Sequence, residues 1–343
     1  MQSVIHIGNP KSYSTFLQHA WYQAEKSGLL VYSGFRPSRD FSDWYKSNDE
    51  AILLNKGLRF QNELEFNASF DMYKKYISSQ QTFALENNLP FVFSSENIAM
   101  RAISNEIDVS IKFKRLVSLL GNKNRVVLIF RNIKRAIYSM YKEFVNLGYG
   151  GDWALFLEES FILRDINYLS ALLPNHQLKW LCQAVDKSDS IEVYLTNNSI
   201  LPEMTADLFA DRTLLLEGKV QNEGWDIDVC EAVAKQNAAS GVSANYSGLM
   251  ELHRFNWSKE LSKDDDIWKK RRQIKINIEL GKKLALNQTN REARLERDEE
   301  LFKRSTLHKH LVDMKKQCTA YFDEKRNTNV KVFGDNANIW IGL

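Results

Sequence analysis

Several features that would settle a protein's class by composition are missing or scarce. The chain holds three cysteines, Cys182, Cys230 and Cys318, odd in number, far apart and never in a Cys-x-x-Cys pair. That argues against a disulfide framework and a structural zinc site, and suits idle thiols in a reducing compartment. Neither sign of charge dominates: 46 Lys and Arg face 43 Asp and Glu, for a net charge of +3. A general affinity for nucleic acid is therefore not expected, and any anionic ligand has to be met by a local cluster. No apolar run approaches the roughly 20 residues that a membrane-crossing helix needs. The opening residues, MQSVIHIGNPK, lack a basic start, a long apolar core and a small-residue cleavage site, so they predict no secretory leader and a cytoplasmic setting. No internal repeat, low-complexity tract or metal-ligand spacing occurs, and no metal is expected.

The rest of the composition is that of an ordinary globular protein, with 44% hydrophobic and 26% charged residues. Five short runs rich in β-branched residues, at 3–7, 29–32, 90–94, 125–130 and 190–195, are continuously apolar rather than alternating. That pattern predicts strands covered on both faces. Helical periodicity fills 15–26, 66–88, 107–120 and 133–144. Strands alternating with helices predict βαβ units on a parallel sheet, whose ligands bind beyond the C-terminal strand ends. Residues 35–66 read as an irregular polar and aromatic excursion, a lid or acceptor-binding segment. A helix is predicted at 226–240, a charged and mostly helical stretch at 264–325, and a short closing strand at 330–333. The division predicted is an α/β domain over 1–260 followed by a helical region over 261–343.

Chemistry gathers after three of the strands. The first run ends at Ile7 and leads through Gly8, Asn9 and Pro10 to Lys11, Ser12, Tyr13, Ser14, Thr15 and Phe16 at the start of a helix. Free amides at a helix N-terminus form an anion site. Lys11 adds a mobile positive charge there, and the hydroxyls of Ser12, Ser14 and Thr15 can donate to phosphate or sulfate oxygens. The spacing is not that of an ATP-type P-loop: Lys11 stands four residues beyond the strand and no second glycine precedes it.

After the fourth run, Arg131 stands at the strand end, with Arg135 and Ser139 on one face of the next helix. An arginine fork and a hydroxyl converging on one point suit a phosphate monoester. The third run ends Ser94-Ser95-Glu96. Glu96 suits a general base, and equally a helix-capping or salt-bridging carboxylate. His6 lies inside a strand and reads as a core residue, and His308 and His310 as solvated. The basic run at 269–275 reads as a solvated helix face, with polyanion binding as the weaker alternative.

The first segment resembles the 5′-phosphosulfate loop of sulfotransferases that use 3′-phosphoadenylyl sulfate (PAPS), on the match of Pro10, Lys11, Ser12, Ser14 and Thr15. The lead-in His-Ile-Gly-x-Pro-Lys and the trailing Phe-Leu-Gln are similar to bacterial members. The second segment resembles the family's 3′-phosphate motif through Arg131 and Ser139. Two positions depart from the pattern. Tyr13 stands where glycine is common, and Ile133 replaces a proline that would pre-set the first helical turn. Over about the first 240 residues the resemblance implies a P-loop-like three-layer α/β fold with PAPS as co-substrate. Lys11 to Phe16 would lie on the phosphosulfate, Arg131 and Ser139 on the 3′-phosphate, and Lys11 and Glu96 would be the catalytic pair. The acceptor would be a hydroxyl or amine of a carbohydrate or small metabolite. The alternatives are a P-loop-type nucleotide or metabolite kinase and a catalytically degenerate nucleotide-binding protein. Acceptor identity and oligomeric state are not legible.

Overall fold

The structure is a computed structural model of the 343-residue chain. It describes residues 3–8, 14–34, 50–95, 98–99, 106–121, 124–130, 133–159, 180–181, 183–184, 190–195, 225–242, 265–285, 291–324 and 330–333. Two compact units are built from interleaved segments. The first takes residues 1–133, 167–221 and 314–342, and the second takes 134–166 and 222–313 with residue 343.

Among its described residues the first unit is organised on a sheet of six strands: β1 (Ser3–Gly8), β2 (Val31–Gly34), β3 (Phe91–Ser94), β4 (Asn124–Phe130), β5 (Ser190–Leu195) and β6 (Val330–Phe333). Their order is β2-β3-β1-β4-β5-β6, and every adjacent pair is parallel. The continuous apolar runs are explained by burial on both faces. All six residues of β1 and all four of β3 are buried, and so is β4 apart from the half-buried Arg125. The α/β class with a central parallel sheet is the one the sequence predicts.

The connections carry α1 (Ser14–Lys26), α2 (Glu50–Phe60), α3 (Glu63–Glu86) and α4 (Val109–Leu120). From β1 the chain crosses toward one edge of the sheet to reach β2. From β2 to β3, and from β3 to β4, it travels the other way. Crossovers of the usual right hand therefore put α1 on one face and α2, α3 and α4 on the other, giving three layers.

The helix starts have local causes. Asn62 caps α3 in a reciprocal box, its side-chain Oδ1 accepting from the Glu65 backbone N–H at 3.0 Å while the Glu65 carboxylate accepts from the Asn62 backbone N–H at 3.0 Å. Asp108 caps α4 by accepting from the Ser110 amide at 2.8 Å. Residues 35–66 are thus not irregular throughout. Helix α2 occupies Glu50–Phe60, burying Ile52, Leu54 and Leu58, and α3 begins at Glu63. Residues 35–49 lie outside the described residues.

Charge is buried where α2 meets α4. Glu106, 3% exposed, accepts from Lys112 of α4 at 2.5 Å and from Arg59 of α2. The Lys112 side chain is fully buried. Arg115 of α4 donates to the carbonyls of Gly57 at 3.1 Å and Gln61 at 2.8 Å and lies over the Phe66 ring. Gly57 has no room for a side chain, since a Cβ there would meet the Tyr73 hydroxyl at 2.5 Å. Helices α2, α3 and α4 are thereby locked into one layer.

The second unit is helical among its described residues: α5 (Ile133–Asn146, in this unit from Lys134), α6 (Trp153–Glu159), α7 (Ile227–Ala239), α8 (Asp265–Ala285), α9 (Arg291–Arg304) and the start of α10 (Thr306–Glu324). Tyr141, Trp153 and Phe156 form its aromatic core, with ring centroids 5.2–6.0 Å apart. Helices α7 and α8 meet across a buried amide pair, Asn277 donating to Asn237 at 2.9 Å, and Asn237 ties both to the end of α5 through the Val145 carbonyl at 2.9 Å. Gly281 lets them approach, because a Cβ there would lie 2.7 Å from the Val233 backbone nitrogen.

Removing one member of a buried charge cluster leaves the others uncompensated and costs about 3–5 kcal/mol. Glu106→Gln is expected to lose stability of that order in urea unfolding. The double variant Glu106→Gln/Lys112→Met should recover much of the loss, and a single-variant loss below about 1 kcal/mol would contradict a buried ionic lock.

Candidate functional site

A parallel sheet has a crevice beyond its C-terminal edge wherever neighbouring strands send their connections to opposite faces. Here that happens at β1, whose connection leaves toward the α1 face while that of β3 leaves the opposite way, and β4 pairs with the other side of β1. The candidate site is therefore the edge of β3, β1 and β4, with β1 in the middle.

The register fixes how these ends align. His6 of β1 lies opposite Ser94, the last residue of β3, and Gly8, the last of β1, lies opposite Ile129, one residue before the end of β4. Beyond these ends the chain runs to Lys11, Glu96 and Arg131 respectively. Lys11, Ser12, Tyr13, Glu96 and Arg131 themselves lie outside the described residues. Ser14, Thr15 and Phe16 form the first turn of α1, which begins at Ser14; amides in a first turn have no partner within their own helix and are available to an anion. Ser139 lies about two turns into α5, half-buried, and belongs to the second unit, whereas the other site residues belong to the first. The exposed Arg135 precedes it on the same helix.

Beneath the edge is a polar set that sequence reasoning had not assigned to the site. His6, fully buried, shares a 2.8 Å hydrogen bond between its Nδ1 and the Ser94 Oγ. Its ring meets the Trp21 ring edge-on, with centroids 4.9 Å apart. The next amide, that of Ser95, donates to the His6 carbonyl at 3.1 Å, so the β1–β3 pairing continues to the last residue before Glu96. His6 Nε2 and Ser95 Oγ are buried with no hydrogen-bond partner among the described residues. The signal for this set was present in the sequence: a histidine inside one apolar run and a Ser-Ser pair at the end of another.

Burial pushes the His6 imidazole down to about 3, so it is neutral at physiological pH and serves as a rigid pin rather than a proton carrier. The second unit offers little proton chemistry at Cys230, a buried thiol pushed up to about 11 by burial. Among the described residues no group of three or more His, Cys, Asp or Glu side chains could hold a metal ion, and no helix is long and apolar enough to cross a membrane.

No family model, no curated protein and no solved structure matches the chain. The functional reading therefore rests on the residues and on the sheet.

His6 carries a pH signature. Its folded pKa of about 3 lies below the value of about 6.5 that it regains on unfolding. Between those values the unfolded state holds a proton that the folded state does not. The contribution of His6 is thus complete above pH ~6.5 and declines as pH falls toward ~3, by about 1.4 kcal/mol per unit. The stability difference between the wild type and His6→Gln, measured by urea unfolding, is expected to shrink at that rate from pH ~6 to ~4.5. Parallel profiles would show that the imidazole is not buried in a neutral state.

Proposed function

We propose that this chain is a sulfotransferase on a P-loop-like fold, moving the sulfuryl group of PAPS to a hydroxyl or amine of a carbohydrate or small metabolite. One observation carries the reading. The strands leading into the phosphosulfate-like segment, the candidate base and the 3′-phosphate-like arginine are the three central neighbours β3, β1 and β4 of one parallel sheet. Far apart in sequence, they end within two strand spacings, about 10 Å, of each other. Chain connectivity limits how far each residue can stray: Arg131 follows Phe130 directly, Glu96 is two residues past Ser94, about 7 Å at most, and Lys11 three past Gly8, about 11 Å at most.

The chemistry needs that convergence. The acceptor oxygen or nitrogen attacks sulfur in line with the bond between sulfur and the bridging phosphate oxygen. A new bond to sulfur forms, the bridging bond breaks, and the donor leaves as adenosine 3′,5′-bisphosphate. Glu96 takes the acceptor proton as the nucleophile attacks. Lys11, with the first-turn amides of Ser14, Thr15 and Phe16, meets the charge growing on the departing phosphate oxygen. Ser12 and Tyr13 complete the turn around the phosphosulfate. Arg131 holds the 3′-phosphate, the feature that separates this donor from ATP. No step calls for a metal ion.

Calorimetry with adenosine 3′,5′-bisphosphate and with ATP–Mg²⁺ tests the assignment. The bisphosphate is expected to bind in the micromolar range and ATP–Mg²⁺ at least about tenfold more weakly. Lys11→Ala and Arg131→Ala should each lower bisphosphate affinity about 30-fold or more, the usual effect of removing one partner of a charge-assisted phosphate contact. Glu96→Gln should leave binding unchanged and lower sulfuryl transfer to a generic phenol or sugar acceptor by about 10²-fold or more. Preference for ATP–Mg²⁺ would establish the kinase alternative, and tight bisphosphate binding with no transfer to any acceptor the degenerate one.

A further inference from the structure

Helix α8 carries the largest net positive charge of the described helices, with seven Lys or Arg against three Asp or Glu in 21 residues. Its inner face is accounted for. Ile274, Asn277 and Gly281 are buried, Asn277 bonded to Asn237 of α7 and Gly281 set against Val233. The outer face is unusual for a solvated basic helix, because large apolar side chains stand among the cations. Ile276 is 47% exposed, Leu280 43% and Leu284 51%, with Trp268 at 48% two turns before them. Lys269, Arg272, Lys275 and Lys283 share that face, all exposed. Of its acids, Glu279 is 3.0 Å from Lys282 and Asp266 is 3.5 Å from Lys269.

We infer that this face of α8 docks the protein on an anionic lipid surface. Three features select that occupant. A bilayer interface takes both kinds of side chain at once: aliphatic groups enter the acyl boundary while lysine and arginine heads reach the lipid phosphates, their stems lying along apolar surface. A nucleic acid or sulfated polysaccharide would engage the cations and leave the aliphatic groups in water. A partner helix is disfavoured by the spacing. Ile276, Leu280 and Leu284 follow a strict four-residue step, which drifts about 40° around the helix each time, whereas a helical seam alternates three and four. A slanting row of that kind spreads over a broad face, which a planar surface can meet and a single groove cannot. Each cation near an anionic surface strengthens attachment and each is screened by salt.

The full chain is tested by flotation with vesicles of phosphatidylcholine containing about a third phosphatidylserine, beside vesicles of phosphatidylcholine alone. It is expected to float with the anionic vesicles at about 0.1 M salt, at least about tenfold more strongly than with neutral ones, and to detach near 0.5 M. The variant Lys269→Gln/Arg272→Gln/Lys283→Gln should weaken binding about 100-fold. Leu280→Ser/Leu284→Ser should weaken it about tenfold, and also reduce quenching of protein fluorescence by brominated acyl chains, a readout that charge alone would not move. Circular dichroism matching the wild type shows that these exposed changes leave the fold intact. Absence of flotation, flotation unaffected by either variant, retention on heparin without vesicle binding, or self-association abolished by Leu280→Ser/Leu284→Ser would each overturn the inference.

Discussion

Parallel pairing on both sides of β1 is the constraint from which the rest of the first unit follows. A strand hydrogen-bonded to parallel neighbours on each edge cannot be joined to them by tight turns, so each connection must cross a face of the sheet. Those crossings create the helical layers, and the layers force the strands to be apolar throughout. They also bring every C-terminal strand end to one edge. In β1 the pairing is continuous from Ser3 to Gly8 with β4 and reaches Ser94 on β3. The Ser95 amide then adds one further bond to the His6 carbonyl. Three chain segments that begin as far apart as residues 9, 95 and 131 thus leave the sheet side by side.

The edge is stiffened by an unusual choice of residue. A histidine in the middle of a sheet costs desolvation, and the depressed pKa of His6 reports that cost. What the chain obtains is a directional link. The imidazole reaches across to Ser94 and, unlike an aliphatic group, ties the side chains of β1 and β3 at one register position. Trp21 of α1 closes over the ring edge-on. The helix that begins at Ser14 is therefore packed against the same imidazole that ties the strand leading to Glu96. In the proposed enzyme, the amides facing the phosphosulfate and the strand delivering the base would share one rigid support, as a near-attack geometry requires.

How much of this was legible follows from physical causes. Strands covered on both faces announce themselves as apolar runs, and the predicted 3–7, 90–94, 125–130 and 190–195 differ from the observed strands by a residue or so at an end. Helix boundaries moved where a cap, not hydrophobicity, decides. Asp108 starts α4 at Val109 rather than 107, and the Asn62–Glu65 box starts α3 at Glu63 rather than 66. Helix α2 was missed because its neighbourhood is rich in aromatic and polar residues. Its apolar stripe of Ile52, Leu54 and Leu58 is short, and it needs the Arg59–Glu106–Lys112 cluster to hold it in place. That cluster is a tertiary fact: nothing in the local pattern around Lys112 shows a fully buried ammonium. The strand order, too, is set by long-range pairing and could not be read from the runs alone. The candidate site was legible as a set of strand ends, because parallel sheets place ligands there, whereas the polar set beneath it involves residues 88 positions apart.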